Sequence, residues 1–123
     1  MYNESIEIRD RLEDILESID LIQEWSNGMT EMNDFMISPN RVMAFNACVM
    51  RLQVIGEHVG KLMKEESKPL DKYTEIPWHA IYGLRNIISH EYANIDEEVI
   101  VSAINEDLPK LNAVIEELLR QYP

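Results

Sequence analysis

The sequence is poor in the residues that define several protein classes. Its only cysteine, Cys48, excludes an internal disulfide framework and a cysteine-based zinc site, and it fits a reducing compartment. No apolar run reaches the roughly 18 residues of a membrane helix, and the N-terminal stretch MYNESIEIRDRLEDI lacks the apolar segment of a signal peptide. We therefore expect a cytoplasmic protein that does not use a membrane.

Basic residues are also scarce. The 123 residues include 11 Lys and Arg against 23 Asp and Glu, for a net charge of −12, which over the whole chain argues against nucleic acid as a partner. The imbalance is confined to the ends. Residues 1–40 have 2 basic and 10 acidic side chains, residues 91–123 have 2 and 8, and residues 41–90 have 7 and 5 together with all three histidines. The acidity thus belongs to the flanks, and the central segment is slightly basic.

Apolar residues recur at three- and four-residue spacing along nearly the whole chain, which predicts helices. The first helix runs from Ser5 to about Trp25. The second begins at Ser38, an N-cap followed by proline, and continues for about 27 residues. It contains Gly56 and Gly60, where small residues permit close packing of a neighbour.

Three further helices follow a polar loop predicted over Ser67–Thr74. The first of them spans about 78–92 after Pro77, the next is capped by Asp96, and Asp107-Leu108-Pro109 restarts the last. The predicted fold is a single all-α domain over residues 1–123, an up-and-down bundle of four to five helices.

The helix predicted over residues 78–92 separates into two faces at 100° per residue. Its apolar residues form a predicted core stripe: Ala80, Ile81, Leu84, Ile87 and Ile88. The opposite face is polar and has no acid: His79, Tyr82, Arg85, Asn86, Ser89, His90 and Tyr92. In a chain with twice as many acids as bases, an exposed face without a carboxylate suggests a surface that meets an anion or another protein.

Arg85 and His90 have the chemistry that suits metal-independent RNA cleavage. A histidine transfers protons near neutral pH, and an arginine holds a phosphate or a developing oxyanion. The two lie ~140° apart around the helix and ~7.5 Å along it, so a groove shared by two chains of a C2 homodimer joins them more easily than one chain does. From the residues alone, surface or structural roles stay open for both. The spacing of histidines and acids predicts no metal site.

The segment Arg85-Asn86-Ile87-Ile88-Ser89-His90-Glu91-Tyr92 resembles the RxxxxHxY motif of HepT-like toxins, in the HEPN superfamily of small all-helical proteins. The stretches IPWHAIYGLRN at 76–86 and RLQVIGEHVGKL at 51–62 and the final helix resemble this family too. The resemblance implies the toxin of a type VII-like toxin–antitoxin pair, acting on RNA as a dimeric, metal-independent endoribonuclease.

The resemblance also assigns roles to residues. Arg85 and His90 become the catalytic pair, with Asn86 and Ser89 in support, and Tyr92 becomes the residue that a minimal nucleotidyltransferase antitoxin adenylylates with ATP to silence the toxin. The protein itself would need no cofactor. A second interpretation stays open: a non-catalytic helical module that binds and regulates such a nucleotidyltransferase through the same face, because a fold alone does not establish chemistry.

Overall fold

The computed structural model describes residues 3–123, so the first two residues of the predicted domain lie outside the described residues. Six α-helices follow in chain order: α1 (Glu4–Trp25), α2 (Met32–Phe35), α3 (Pro39–Met63), α4 (Trp78–Glu91), α5 (Glu97–Ser102) and α6 (Leu108–Gln121). No strand occurs between residues 3 and 123, which confirms the all-α fold. The short helix α2 is the one element that the sequence analysis did not predict.

Helix starts coincide with side chains that cap them. Asn3, Ser38 and Asp96 each accept a hydrogen bond from a backbone N–H of the following turn, which satisfies a donor that the helix leaves free. The caps at Ser38, with Pro39 after it, and at Asp96 confirm the predictions. The cap at Asn3 starts α1 one residue before Ser5, where the apolar pattern placed it.

The last helix begins at Leu108, directly after Asp107, as predicted, but the backbone remains helical from α5 into α6. A π-helical segment, Ala103–Asp107, joins the two helices. Pro109 has no N–H to donate and would disturb a regular α-helix at this point. The wider π turn absorbs that mismatch without ending the helix.

The connection between α3 and α4 contains more buried apolar residues than a polar loop would. Leu70, Tyr73 and Ile76 are buried, and the indole Nε1 of Trp78 donates to the Tyr73 carbonyl at 2.9 Å. These contacts hold the start of α4 against the rest of the protein.

The helices share one hydrophobic cluster, which runs from Ile8 in α1 to Leu118 in α6. Helix α3 is central and packs against both α1 and α4, while α6 packs on α1. Cys48 is fully buried, and burial raises the pKa of its thiol to about 11.

His58 joins α3 to α1 through contacts of both its ring nitrogens. Arg11 Nη1 lies 3.1 Å from His58 Nδ1, and since arginine only donates, that nitrogen is the acceptor and Nε2 has the hydrogen. Nε2 faces Asp14 Oδ2 at 3.5 Å. Burial is the main cause that lowers the pKa of this imidazole, so it remains neutral at physiological pH.

Two glycines of α3 determine how closely α4 approaches. A Cβ added at Gly56 would lie 2.5 Å from Arg85 Cβ and 3.0 Å from the Ile81 carbonyl oxygen, and one added at Gly60 would lie 2.5 Å from the Tyr82 ring. No side chain fits in either space. The prediction that these glycines permit close packing is confirmed, and the neighbour is α4.

The predicted core stripe of α4 is wrong for part of its length. Ile88 alone among its residues is buried, Ile81 and Leu84 are partly buried, and Ala80 and Ile87 are exposed, Ile87 to 46%. The cause is the α3 contact. Because the glycines accept the side of α4 that contains Tyr82 and Arg85, the far edge of the apolar stripe turns toward solvent.

Glycine-to-alanine changes in α3 and α4 should have opposite effects on stability. Gly56→Ala forces α4 away from α3 and should lower the free energy of unfolding by ~1–3 kcal/mol. Gly83→Ala meets no atom within 4 Å, and should raise that free energy by ~0.5–1 kcal/mol because alanine loses less backbone entropy in a helix. Urea unfolding followed by circular dichroism measures both, and equal effects of the two changes would contradict the glycine contact.

Candidate active site

Helices α3 and α4 run antiparallel, and polar side chains follow the line along which they meet. Near the end of α4, the Tyr92 hydroxyl donates to Asn46 Oδ1 at 2.6 Å. Two turns along α3, Gln53 Nε2 donates to Ser89 Oγ at 2.8 Å. We call this line, from Asn46 and Tyr92 to Gly60 and Tyr82, the α3–α4 seam. It contains most of the residues that the sequence analysis placed on an acid-free face.

Arg85 lies in the middle of the seam with its stem against Gly56. Its Nη1 donates to Asn86 Oδ1 at 3.1 Å, while its Nε is buried and has no hydrogen-bond partner in residues 3–123. The carboxylates in that range that lie within ion-pair distance of a basic group face Arg9, Arg11 or His58 instead. The Arg85 guanidinium is therefore held in place, is not neutralised by a carboxylate, and has donors left for an anion.

His90 is exposed in the last turn of α4. Within residues 3–123 its imidazole makes no hydrogen bond and no ion pair, with Arg85 or any other group. One chain therefore brings Arg85, Asn86 and Ser89 to the seam and leaves His90 apart from them, with both ring nitrogens open to a reactant or a second chain.

Tyr92 is the first residue of a 3₁₀ turn, Tyr92–Asn94, that follows α4. The phenol is 47% exposed although its hydroxyl is hydrogen-bonded. Its acceptor, Asn46, is itself oriented, because its Nδ2 donates to the Val42 carbonyl at 3.1 Å. The hydroxyl is thus both accessible and held in one direction.

The sequence analysis missed Asn46 and Gln53, which belong to α3. Neither residue has chemistry that identifies it alone. The signal available was spacing: the two are seven residues apart, so they share a face of the helix, and that face leads on to Gly56 and Gly60.

The opposite side of α4 borders an open apolar groove of about 550 Å³. Leu84 and Ile87 line it from α4, and Val99 and Ala103 line it from the α5 region. Ile87 and Val99 are each 46% exposed. The part of the predicted core stripe that is exposed in the structure therefore borders this groove.

Residues 3–123 contain neither a membrane-spanning helix nor a metal-binding cluster. No helix there has both the length and the apolar character needed to cross a membrane. No group of three or more His, Cys, Asp or Glu side chains in the same range is arranged to hold a metal ion.

Comparison with known proteins agrees with this arrangement. A family model described as "Ribonuclease HepT-like" matches residues 15–118. A Caldanaerobacter subterraneus protein named "Putative RNase TTE0752" is 32% identical over 113 residues, 92% of this chain and 95% of its own. "Probable ribonuclease HepT" of Thermococcus cleftensis is 32% identical over 110 residues, 89% of this chain and 94% of its own.

These matches define a ribonuclease family, and the chain belongs to the HepT-like ribonucleases of the HEPN superfamily. The matched region contains α3 and α4 whole and so includes the seam. No solved structure gives a significant match.

Proposed function

We propose that this protein is the toxin of a type VII-like toxin–antitoxin pair and a metal-independent endoribonuclease. The 2′-hydroxyl of RNA loses its proton to a histidine, and its oxygen attacks the adjacent phosphorus. The bond from phosphorus to the 5′-oxygen breaks, and that oxygen gains a proton, leaving a 2′,3′-cyclic phosphate on the other product. His90 transfers the protons, and Arg85 holds the phosphate as negative charge develops.

The observation that carries this proposal is the state of Arg85. Arg85 is half-buried, makes no ion pair within residues 3–123 although the chain has 23 acids, and keeps guanidinium donors for an anionic ligand. Asn86 orients it from one side. His90 lies five residues further along the same helix, where an imidazole without partners is suited to proton transfer.

The proposed active unit is a C2 homodimer. The cleavage reaction needs a general base and a general acid at the same time, and one exposed histidine does not easily act as both. Two copies that pair through the exposed side of α4, which contains His90 and, at the edge of the apolar groove, Ile87, would bring two His90 side chains to one groove. The Arg85 guanidinium of each chain would border that groove, since it extends toward Asn86. In such a dimer, the apolar groove beside α4 would be covered by the same surface of a second copy of the chain.

The proposed regulation is adenylylation of Tyr92 by a cognate minimal nucleotidyltransferase. The phenol oxygen attacks the α-phosphorus of ATP, pyrophosphate leaves, and the phenol proton is lost to solvent. The hydroxyl is accessible and oriented by Asn46. The added adenylate would place a bulky anion two residues from His90, where it would block RNA and compete for the guanidinium. ATP serves the antitoxin in this scheme, the toxin has no cofactor, and both act in the cytoplasm.

His90→Ala should slow RNA cleavage by ~10²–10⁴-fold, the usual contribution of a general acid or base. The matched control is His79→Ala, since His79 is also exposed on α4 but lies near its start. Cleavage of total RNA with EDTA present, together with growth after induction, measures both changes. Equal activity of the parent protein and His90→Ala, or no cleavage by either, would support the binding-only module instead.

Ile87→Glu should convert the dimer to a monomer, because it would place a carboxylate in an apolar contact. Ile6→Glu is the control: Ile6 is exposed to 48% against 46% for Ile87 but lies on α1. Sedimentation velocity gives the mass of each variant. A parent protein that is monomeric, or an Ile87→Glu variant that remains dimeric, would contradict the proposed interface.

Tyr92→Phe should abolish transfer of adenylate from ATP in the presence of the nucleotidyltransferase, since it removes the attacking oxygen. Tyr82→Phe should leave transfer intact, because Tyr82 uses its ring to pack on Gly60. Intact-protein mass spectrometry detects the added mass. Retention of the modification in Tyr92→Phe would reject Tyr92 as the acceptor.

A further inference from the structure

A small polar cleft continues the seam on the side of Arg85 that faces away from His90. Its volume is about 140 Å³, and its lining is Glu57, Gly60, Lys61, Lys64, Tyr82 and Arg85. Because α3 and α4 are antiparallel, this cleft lies toward the start of α4 and the end of α3. None of the chemistry described above uses Lys61 or Lys64.

The cleft is cationic in a protein that is otherwise strongly acidic. Lys61, Lys64 and Arg85 face one carboxylate, Glu57. In residues 3–123 neither lysine takes part in an ion pair, since those pairs involve Arg9, Arg11 and His58. Both lysine side chains are exposed and able to reach an incoming anion.

Arg85 is the third cation of this lining. Its guanidinium donates to Asn86 Oδ1 and makes no ion pair within residues 3–123. A phosphate oxygen is the acceptor that suits a guanidinium beside two ammonium groups.

On their other side, Lys61 and Lys64 border a groove with four acids, Glu4, Glu7, Glu65 and Glu66. These carboxylates repel phosphate, so they limit how far an RNA strand can follow the lysines. An anion attracted to Lys61 and Lys64 is therefore directed toward Arg85 and the seam.

We propose that this cleft binds a phosphate of the RNA substrate next to the scissile one, with Lys61 and Lys64 as its contacts. The proposal rests on the ribonuclease function proposed above and assigns the path of the strand. The lysines lie five and eight residues beyond Gly56, ~7.5–12 Å along the axis from the point opposite Arg85. Tyr92 pairs with Asn46, which lies ~22–27 Å from the two lysines along α3. An adenylate on Tyr92 therefore does not reach them.

The test is the salt dependence of RNA binding by a protein that does not cut. In a His90→Ala background, K61Q/K64Q is compared with K72Q/K110Q, which removes the same two charges from elsewhere on the surface. The probe is a short fluorescently labelled single-stranded RNA, and anisotropy gives Kd across a salt series. Thermal melting checks that each variant is folded.

Loss of the contacts to this one phosphate should reduce the slope of log K against log salt by ~0.7, which corresponds to ~5-fold weaker binding at about 0.1 M salt and converges near 1 M. The control K72Q/K110Q should keep the slope of its parent. Equal slopes for the two double variants would overturn the cleft while leaving the RNase proposal to the His90→Ala cleavage assay. Absence of RNA binding by the His90→Ala parent at low salt would overturn both.

Discussion

The close contact between α3 and α4 is the constraint on which the site depends. Gly56 and Gly60 present bare backbone to α4, so Arg85 and Tyr82 pack where a larger α3 residue would push them out. The contact buries the stem of a charged side chain together with its Nε and leaves the rest of the residue partly exposed, which is how arginine usually combines packing with charge. The orientation of Arg85 is thus a consequence of helix packing and needs no ion pair.

This packing also explains why α4 shows two unusual faces. A helix with one apolar stripe normally turns that stripe to the core. In α4, Ile88 and the neighbouring polar residues lie on the side that packs toward α3. The far edge of the apolar stripe, which contains Ile87, therefore faces solvent. The polar seam and the exposed apolar groove are therefore two results of one rotation of the helix, on opposite sides of it.

Local sequence chemistry was enough to predict most of the fold. Caps such as Ser38 and Asp96 act within one turn, so their effect is visible in the sequence. The π segment before Pro109 was not predictable in the same way, because a proline predicts a break unless the surrounding packing holds the helix together. Helix α2, with four residues, is too short to have a periodicity of its own.

The site was predictable from α4 and not from α3. Arg85, His90 and Tyr92 have chemistry and spacing that a single helix displays, whereas Asn46 and Gln53 gain meaning only from the residues they face. The rotation of α4 could not be predicted either. Hydrophobic periodicity shows which face of a helix is apolar, but it does not show which neighbouring element packs against that face. The decisive information was the pair of glycines on another helix.

The net charge of −12 now has a spatial interpretation. Acids dominate the N-terminal and C-terminal helices, and phosphate is repelled there. The seam differs because its α4 side has no carboxylate and its one unpaired guanidinium is fixed by packing. Under the proposed function, attraction for RNA would be confined to one groove, weak binding elsewhere would limit unproductive contacts, and one anion added in that groove would be enough to block it.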